Sequence, residues 1–152
     1  LDMYENQQLF FSYISYGLQL RHLYDEGTMN VHQIRSETAV LLLSGIAKPQ
    51  PLLERIRSHS AHVIHHAYPD HHPFSKKNML KLAADFEAID ADKKIIITTE
   101  KDAIRLKDSA FEKILQGLPI YMWPIEIKFH DGNFGDFDQE ILKYVSTAST
   151  IS

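Results

Sequence analysis

The chain has 152 residues, a hydrophobic content of 44%, a charged content of 24% and a formal net charge of −4, as expected for about one globular domain. The acidic balance argues against nucleic acid as a partner, and the absence of cysteine excludes disulfides and thiolate zinc sites. There is no run of about eighteen apolar residues and no basic, apolar leader, so we expect neither a membrane span nor a signal peptide here.

The first part of the chain predicts β structure. After a polar start at residues 1–8, the aromatic and β-branched segment 9–16 predicts a strand. Gly17 ends it, and residues 18–24 alternate well enough to predict a second strand, so we expect a small β hairpin or arm. The charged segment 25–38 has no regular period and is interpreted as a connector.

From residue 39 the pattern changes to alternating strands and helices. Short apolar runs typical of strands buried on both faces are followed by amphipathic helical stripes. The predicted order is strand 40–43, helix 49–59, strand 63–69, helix 75–89, strand 94–98, helix 99–106, helix 111–115, strand 120–129 and a final helix with Ile141, Leu142 and Val145 after a turn at residues 132–135. Pro124 suggests that the strand at 120–129 lies at an edge of the sheet.

This order is the signature of right-handed parallel crossovers. We therefore predict an α/β fold with a three-layer arrangement around a parallel sheet, preceded by the β arm. Residues 1–38 are assigned to the arm or linker and residues 39–152 to the α/β domain.

Three polar turns follow the three buried strands, at Ser44 and Gly45, at residues 69–71 and at residues 98–101. Because the carboxyl ends of parallel strands meet at one edge of a sheet, these turns are expected to lie together. A helix follows each turn, and free N–H groups at helix N-termini favour anions. Lys48 and Lys101 lie nearby, so the edge suits a phosphate-bearing ligand.

The second turn carries Asp70, His71 and His72 between two prolines. A carboxylate beside imidazoles can orient a general base, relay a proton or bind a metal. We favour a functional role for His71; the alternative is a polar turn in which Asp70 caps a local backbone N–H. Four further histidines lack the spacing of a zinc signature and are interpreted as surface or packed side chains rather than as a metal site: His59, His62, His65 and His66.

The third turn, residues 99–102, resembles a capping box with Asp102 in place of glutamate. Two readings stay open for it: a helix cap with Glu100 and Lys101 in water, or side chains that reach into the shared edge. Arg105, one turn later, is interpreted as an ion-pair partner of an acidic residue.

Taken together, residues 45–49, 70–74 and 98–105 resemble, in order and spacing, the C-terminal half of the tetraacyldisaccharide 4′-kinase family. Those enzymes use ATP to phosphorylate the 4′-hydroxyl of the tetraacyldisaccharide 1-phosphate precursor of lipid A in Gram-negative bacteria. The resemblance covers most of residues 39–130, and segment 9–16 is similar to the β segment that joins the two halves in that family.

The resemblance implies a P-loop-type kinase of two α/β halves with the active site in the cleft between them. It implies that His71, with Asp70, is catalytic and that His71 pairs with a catalytic aspartate of the N-terminal half, helping it take the proton from the sugar hydroxyl. The remaining motif residues would line the cleft: Gly45, Lys48, His72, Thr99, Glu100 and Lys101.

The same resemblance implies ATP and Mg²⁺ as cofactors, with ligands mostly in the N-terminal half. It implies the lipid A disaccharide precursor and that half as partners, and a place at the cytoplasmic face of the bacterial inner membrane, contacted mainly through the N-terminal half. These 152 residues contain no G-x-x-x-x-G-K-[ST] loop to hold the phosphates. We therefore expect the chain alone to be inactive.

Two other hypotheses stay open. Asp-His-His also names a family of metal-dependent phosphoesterases, but that family needs upstream Asp-x-Asp patterns for its two metal ions. Only Asp2 and Asp25 are present among the first forty residues, and neither has the pattern. The third hypothesis is a non-catalytic α/β module that binds a phosphorylated ligand.

Overall fold

A computed structural model describes residues 10–129, 138–139, 141–143 and 145–146. The chain divides into two compact units: Gly17–Pro124, and Leu1–Tyr16 together with Ile125–Ser152. The first unit contains the strands β2 Gln19–His22, β3 Thr28–Asn30, β4 Ala39–Ser44, β5 His62–Ala67, β6 Lys94–Thr99 and β7 Ile120–Trp123, and the helices α1 Gln50–Arg57, α2 Lys76–Glu87, α3 Glu100–Leu106 and α4 Ser109–Leu115. The second contains β1 Ser12–Tyr16 and β8 Ile125–Phe129.

The larger unit is built on a six-stranded sheet in the order β3-β2-β7-β6-β4-β5. β5, β4, β6 and β7 run parallel to one another, while β2 is antiparallel to both β7 and β3. Helices α1, α2 and the pair α3–α4 connect successive parallel strands. This arrangement confirms the predicted α/β class with its mostly parallel sheet.

The core lies where the sheet meets α2 and α4. β4 is buried along its whole length, because it lies between β5 and β6 and both of its faces are covered. Leu41 and Leu43 on one face of β4 belong to the same buried cluster as Met79, Leu82 and Phe86 of α2. The three- and four-residue spacing of those helix residues places them on one face.

The helix starts follow from local chemistry. The Ser75 hydroxyl accepts a hydrogen bond from the backbone N–H of Asn78, and Asn78 Oδ1 accepts one from the backbone N–H of Ser75, so α2 begins with a complete capping box. Pro49 is the residue that precedes α1, and Pro51 lies in its first turn, where a missing N–H costs nothing.

The predicted hairpin between residues 9–16 and 18–24 is wrong. β1 pairs with β8 in a separate two-stranded antiparallel sheet, whereas β2 pairs with β3 and β7. The reason is long-range pairing: the backbone N–H of Gly17 donates to the carbonyl of Pro124 at 3.0 Å. The small antiparallel sheet exists, but its second strand comes from the far end of the chain.

The predicted edge strand and the predicted connector also differ from the structure. β7 lies inside the sheet between β6 and β2, and Pro124 ends it, so the segment 120–129 is two strands in two different sheets. The edge strand of the parallel part is instead β5, which is only partly buried, with Ile64 at 45% exposure. Residues 25–38, interpreted as a connector, contain β3 and a 3₁₀ turn at Val31–Gln33.

Beyond β8, the described residues 138–139, 141–143 and 145–146 are helical, and Ile141, Leu142 and Val145 are exposed there. The predicted turn at residues 132–135 lies outside the described residues. Among the helices that the structure describes, every one is too short or too polar to cross a bilayer.

Candidate functional site

The three predicted polar turns do meet at one edge of the sheet, because β5, β4 and β6 are parallel neighbours. The backbone N–H of Tyr68, just after β5, donates to the carbonyl of Ser44 at 2.8 Å, which joins the first two turns directly. Thr99 ends β6 at the same edge. The candidate site is therefore built from loops that a rigid sheet positions.

Asp70 is held by a lysine from the third turn. Lys101 Nζ donates to Asp70 Oδ1 at 2.7 Å, and the backbone N–H of His71 donates to the same oxygen at 3.1 Å. The Lys101 hydrogen bond, with smaller contributions from the charge of His71 and from that backbone bond, lowers the pKa of Asp70. Asp70 therefore stays ionised. The turn predicted as the alternative to a functional role, in which Asp70 caps a local backbone N–H, is present together with the Lys101 contact.

His71 is the most exposed member of the motif. Its side chain is 79% exposed, and its Nε2 lies 3.5 Å from Asp70 Oδ2. Its backbone adopts a left-handed conformation with φ of 58°. Such strain in a residue other than glycine costs about 1–3 kcal/mol and often marks a functional loop. The loop thus presents an imidazole to solvent beside an ionised carboxylate.

His72 has different surroundings from its neighbour. Its ring stacks on Tyr68 with centroids 4.7 Å apart, and its Nε2 lies 3.3 Å from Asn78 Oδ1. Phe74 meets the same ring edge-on at 5.8 Å. His72 therefore anchors the loop to the sheet and to α2, while the side chain of His71 is exposed to solvent.

Asp102 joins the first and third turns. It is fully buried, and its Oδ2 accepts hydrogen bonds from the backbone N–H of Gly45 at 2.8 Å and from the Thr99 hydroxyl at 2.9 Å. Thr99 Oγ1 in turn accepts from the Asp102 N–H, so the predicted N-cap is confirmed. In a capping box this carboxylate would accept a hydrogen bond from the backbone N–H of Thr99. Here it accepts instead from the N–H of Gly45, 57 residues away in sequence.

Arg105 connects this carboxylate to the second turn. Its Nη1 donates to Asp102 Oδ1 at 3.0 Å, which confirms the ion pair predicted for it. Its guanidinium lies over the Phe74 ring, 4.5 Å from the centroid, as expected for a cation–π contact. A Cβ atom on Gly45 would lie 3.2 Å from both Arg105 Nη1 and Asp102 Oδ1, so a larger residue there would require these side chains to shift. Sequence reasoning did not find the role of Asp102.

The remaining predicted cleft residues lie along the same edge. Lys48 is exposed in the loop before α1, and Glu100 is partly buried in the first turn of α3. Two cations of the edge, Lys101 and Arg105, are already paired with carboxylates. That pairing offsets much of the positive charge expected to attract phosphate.

The four histidines interpreted from the sequence as packed or surface side chains are His59, His62, His65 and His66. His65 Nε2 lies 2.7 Å from Ser44 Oγ, and His66 Nε2 lies 3.0 Å from Asp85 Oδ2. Burial lowers the pKa of His66, although Asp85 partly opposes that shift, and burial also lowers the pKa of His65. In the part of the chain that the structure describes, no group of three histidine, aspartate or glutamate side chains is arranged to hold a metal ion.

Comparison with known proteins identifies one family. The family model described as tetraacyldisaccharide-1-P 4′-kinase matches residues 5–145. Tetraacyldisaccharide 4′-kinases from Phocaeicola vulgatus and Flavobacterium johnsoniae are 32% and 40% identical over 95% and 92% of this chain, which correspond to 40% and 36% of their own lengths. The chain thus spans about 40% of the length of the relatives that it matches, and it corresponds to their C-terminal half.

The fold is also similar to a solved structure. The crystal structure of the "apo" form of LpxK from Aquifex aeolicus in complex with ATP matches 94% of this chain and 38% of that protein, with a TM-score of 0.52 and 14% identity. This likeness confirms the predicted kinase fold. None of these findings supports the phosphoesterase or binding-module hypotheses, which stay predictions.

Proposed function

This chain belongs to the tetraacyldisaccharide-1-P 4′-kinase family, and we propose that it forms the C-terminal part of an enzyme that transfers the γ-phosphate of ATP to the 4′-hydroxyl of the tetraacyldisaccharide 1-phosphate precursor of lipid A. Curated relatives with that activity in their names match nearly the whole chain. The proposal therefore places the chain in lipid A biosynthesis.

The observation that carries the proposal is the pair formed by Asp70 and His71. An ionised carboxylate held by Lys101 lies beside an exposed imidazole at the carboxyl edge of a parallel sheet. We infer that His71 pairs with a catalytic aspartate of the N-terminal half, which takes the proton from the sugar hydroxyl. A positioned imidazole of this kind typically contributes about 10²–10⁴-fold to a proton transfer.

ATP and Mg²⁺ are assigned mainly to the N-terminal half. The charges along the edge favour this division, because Lys101 and Arg105 are paired with Asp70 and Asp102 and so contribute little net charge toward a triphosphate. Binding three phosphates requires a dense set of N–H groups, a lysine and a metal ion. In this division the wall of the cleft, close to nucleotide and lipid, is formed by six residues of this chain: Gly45, Lys48, His72, Thr99, Glu100 and Lys101.

The remaining assignments follow from the same proposal. Residues 1–38 would link the two halves, and residues 39–152 would form the C-terminal α/β domain. The partners would be ATP, the lipid A disaccharide precursor and the N-terminal half. The protein would work at the cytoplasmic face of the bacterial inner membrane and contact the membrane mainly through the N-terminal half.

An assay of phosphoryl transfer tests the proposal. We expect the intact enzyme to convert tetraacyldisaccharide 1-phosphate and ATP to the 4′-phosphorylated product, and we expect these 152 residues alone to form none. Phosphoryl transfer depends on positioning and charge, and most of that equipment would lie in the other half. Product from the 152-residue chain alone would contradict the assignment of ATP and Mg²⁺ to the N-terminal half. An intact enzyme without 4′-kinase activity would contradict the proposed function.

A further inference from the structure

We propose that Asp102 is a positioning residue for the Asp70–His71 loop, acting through Arg105 and Phe74. This inference rests on the proposed role of His71 in the kinase. It goes beyond that role because Asp102 lies in a different turn and is fully buried, so it touches neither nucleotide nor lipid.

The first step is the set of donors around Asp102. Its two carboxylate oxygens accept hydrogen bonds from the Gly45 backbone, the Thr99 hydroxyl and the Arg105 guanidinium, at 2.8, 2.9 and 3.0 Å. A buried carboxylate is stable only when donors of this kind compensate its lost hydration. The three donors come from the turn after β4, the end of β6 and α3, so one side chain joins the separate segments.

The second step is the path from Arg105 to the histidine loop. The guanidinium covers the Phe74 ring at 4.5 Å. Phe74 packs edge-on against Tyr68 at 5.4 Å and against His72 at 5.8 Å. Tyr68 and His72 flank the segment that carries Asp70 and His71 on both sides, so the position of the Phe74 ring determines how that segment lies on the sheet.

The third step is the difference between inside and outside contacts. On the outside, Lys101 holds Asp70 through a partly exposed bridge, and bridges of that kind contribute little and are screened by salt. On the inside, the side chains of the paired Asp102 and Arg105 are only 0% and 25% exposed. A left-handed residue such as His71 persists only when its surroundings hold it, and the inner pair is the stronger constraint.

The test uses Asp102→Asn in the intact kinase. Asparagine is isosteric and still accepts from Gly45 and Thr99, but it loses the charge that holds Arg105. We expect kcat to fall at least about tenfold, while KM for ATP changes less than about twofold. Asp108→Asn is the matched control, because Asp108 accepts a 2.8 Å hydrogen bond from the Ala110 N–H as the N-cap of a different helix, α4; its kcat should stay within about twofold of wild type.

Measuring Asp102→Asn in an enzyme that already carries His71→Ala separates a positioning role from a general effect on stability. If Asp102 acts through the histidine loop, Asp102→Asn should lower kcat by less than about twofold when His71 is already alanine. An equal loss of kcat in both backgrounds, or no loss in the wild-type background, overturns this inference but leaves the proposed function untouched. If His71→Ala leaves kcat unchanged, the proposed function fails as well.

Arg105→Gln guards against a variant that does not fold. Arg105 is partly exposed, so its replacement leaves Asp102 paired with Gly45 and Thr99. We expect the same loss of kcat, again reduced in the His71→Ala background, in an enzyme whose melting temperature falls because Asp102 loses one of its three donors but stays above the assay temperature. Wild-type kcat in a folded Arg105→Gln enzyme would overturn the inference.

Discussion

Lys101 Nζ donates to Asp70 Oδ1 at 2.7 Å, across 31 residues of sequence. A lysine in the first turn of α3 therefore fixes the orientation of the carboxylate that follows β5. His71, on the same loop, contacts the other oxygen of that carboxylate at 3.5 Å. A side chain from a different turn of the sheet thus lowers the pKa of Asp70 and contacts one of its two oxygens.

Replacing this lysine should change the titration of the carboxylate. In Lys101→Met, the pKa of Asp70 should rise toward its ordinary value, because the Lys101 hydrogen bond is the largest cause of the lowered pKa. A ¹³C NMR titration of the carboxyl group measures this directly. Lys76→Met, an exposed lysine at the start of α2, is the control and should leave Asp70 unchanged. An unaltered pKa in Lys101→Met would contradict the account.

The stability of the larger unit should fall as the solution becomes acidic. Burial lowers the pKa of His59, His65 and His66 below the ordinary histidine value. The unfolded chain therefore binds more protons than the folded chain once the pH falls below about 6.5, so stability present at neutral pH is lost through that window. The lowered pKa of Asp85 acts in the same direction, but only at still lower pH.

Thermal unfolding at two pH values measures this effect. The melting temperature should be lower at about pH 5.5 than at about pH 7.5. His66→Gln should reduce the difference, because it removes one of the groups that must bind a proton on unfolding. A melting temperature that is constant or higher at the lower pH would contradict the assigned directions.

The buried hydroxyl of Thr98 should contribute measurably to stability. Thr98 is fully buried, and its Oγ1 donates to the Leu43 carbonyl at 3.0 Å, linking β6 to β4. Thr98→Val keeps the shape but leaves that oxygen with one partner fewer, which should lower the free energy of unfolding by about 1–3 kcal/mol. Thr28→Val, at an exposed position of β3, should change it by less than about 0.5 kcal/mol. Equal effects in a urea denaturation series would contradict this reading.

Glycine should be required at position 45 for steric reasons. An added Cβ would lie 3.2 Å from Asp102 Oδ1 and 3.3 Å from Phe74 Cζ, and Asp102 is held by three hydrogen bonds and has little freedom to move. Gly45→Ala should therefore lower the free energy of unfolding by about 1–3 kcal/mol. At Gly17 the nearest atom to an added Cβ is 3.6 Å away, so Gly17→Ala is the control. Urea denaturation of both variants measures the difference, and a Gly45→Ala variant as stable as Gly17→Ala would contradict the steric argument.

Local patterns in the sequence predicted the elements that depend on local physics. The buried run of β4, the stripe of α2 and the cap at Ser75 each follow from a few neighbouring residues, and parallel crossovers then bring the three turns together. The ion pair of Arg105 was likewise predictable from its spacing along α3.

Features that depend on distant partners were not predictable in this way. Whether β1 pairs with the next strand or with β8 is decided by residues more than a hundred positions away. The edge position of β5 depends on strand order, which periodicity does not report. The hydrogen bond that the Gly45 N–H donates to Asp102 joins the turn after β4 to α3, and a capping pattern gives no sign of it.

The most direct test of the account is the effect of His71→Ala on kcat of the intact kinase with ATP and tetraacyldisaccharide 1-phosphate. His62→Ala is the matched control, because His62 is exposed at the opposite end of the strand that leads to the loop. The account predicts that kcat falls by about 10²–10⁴-fold in His71→Ala and stays near wild type in His62→Ala. Wild-type kcat in a folded His71→Ala enzyme would contradict it.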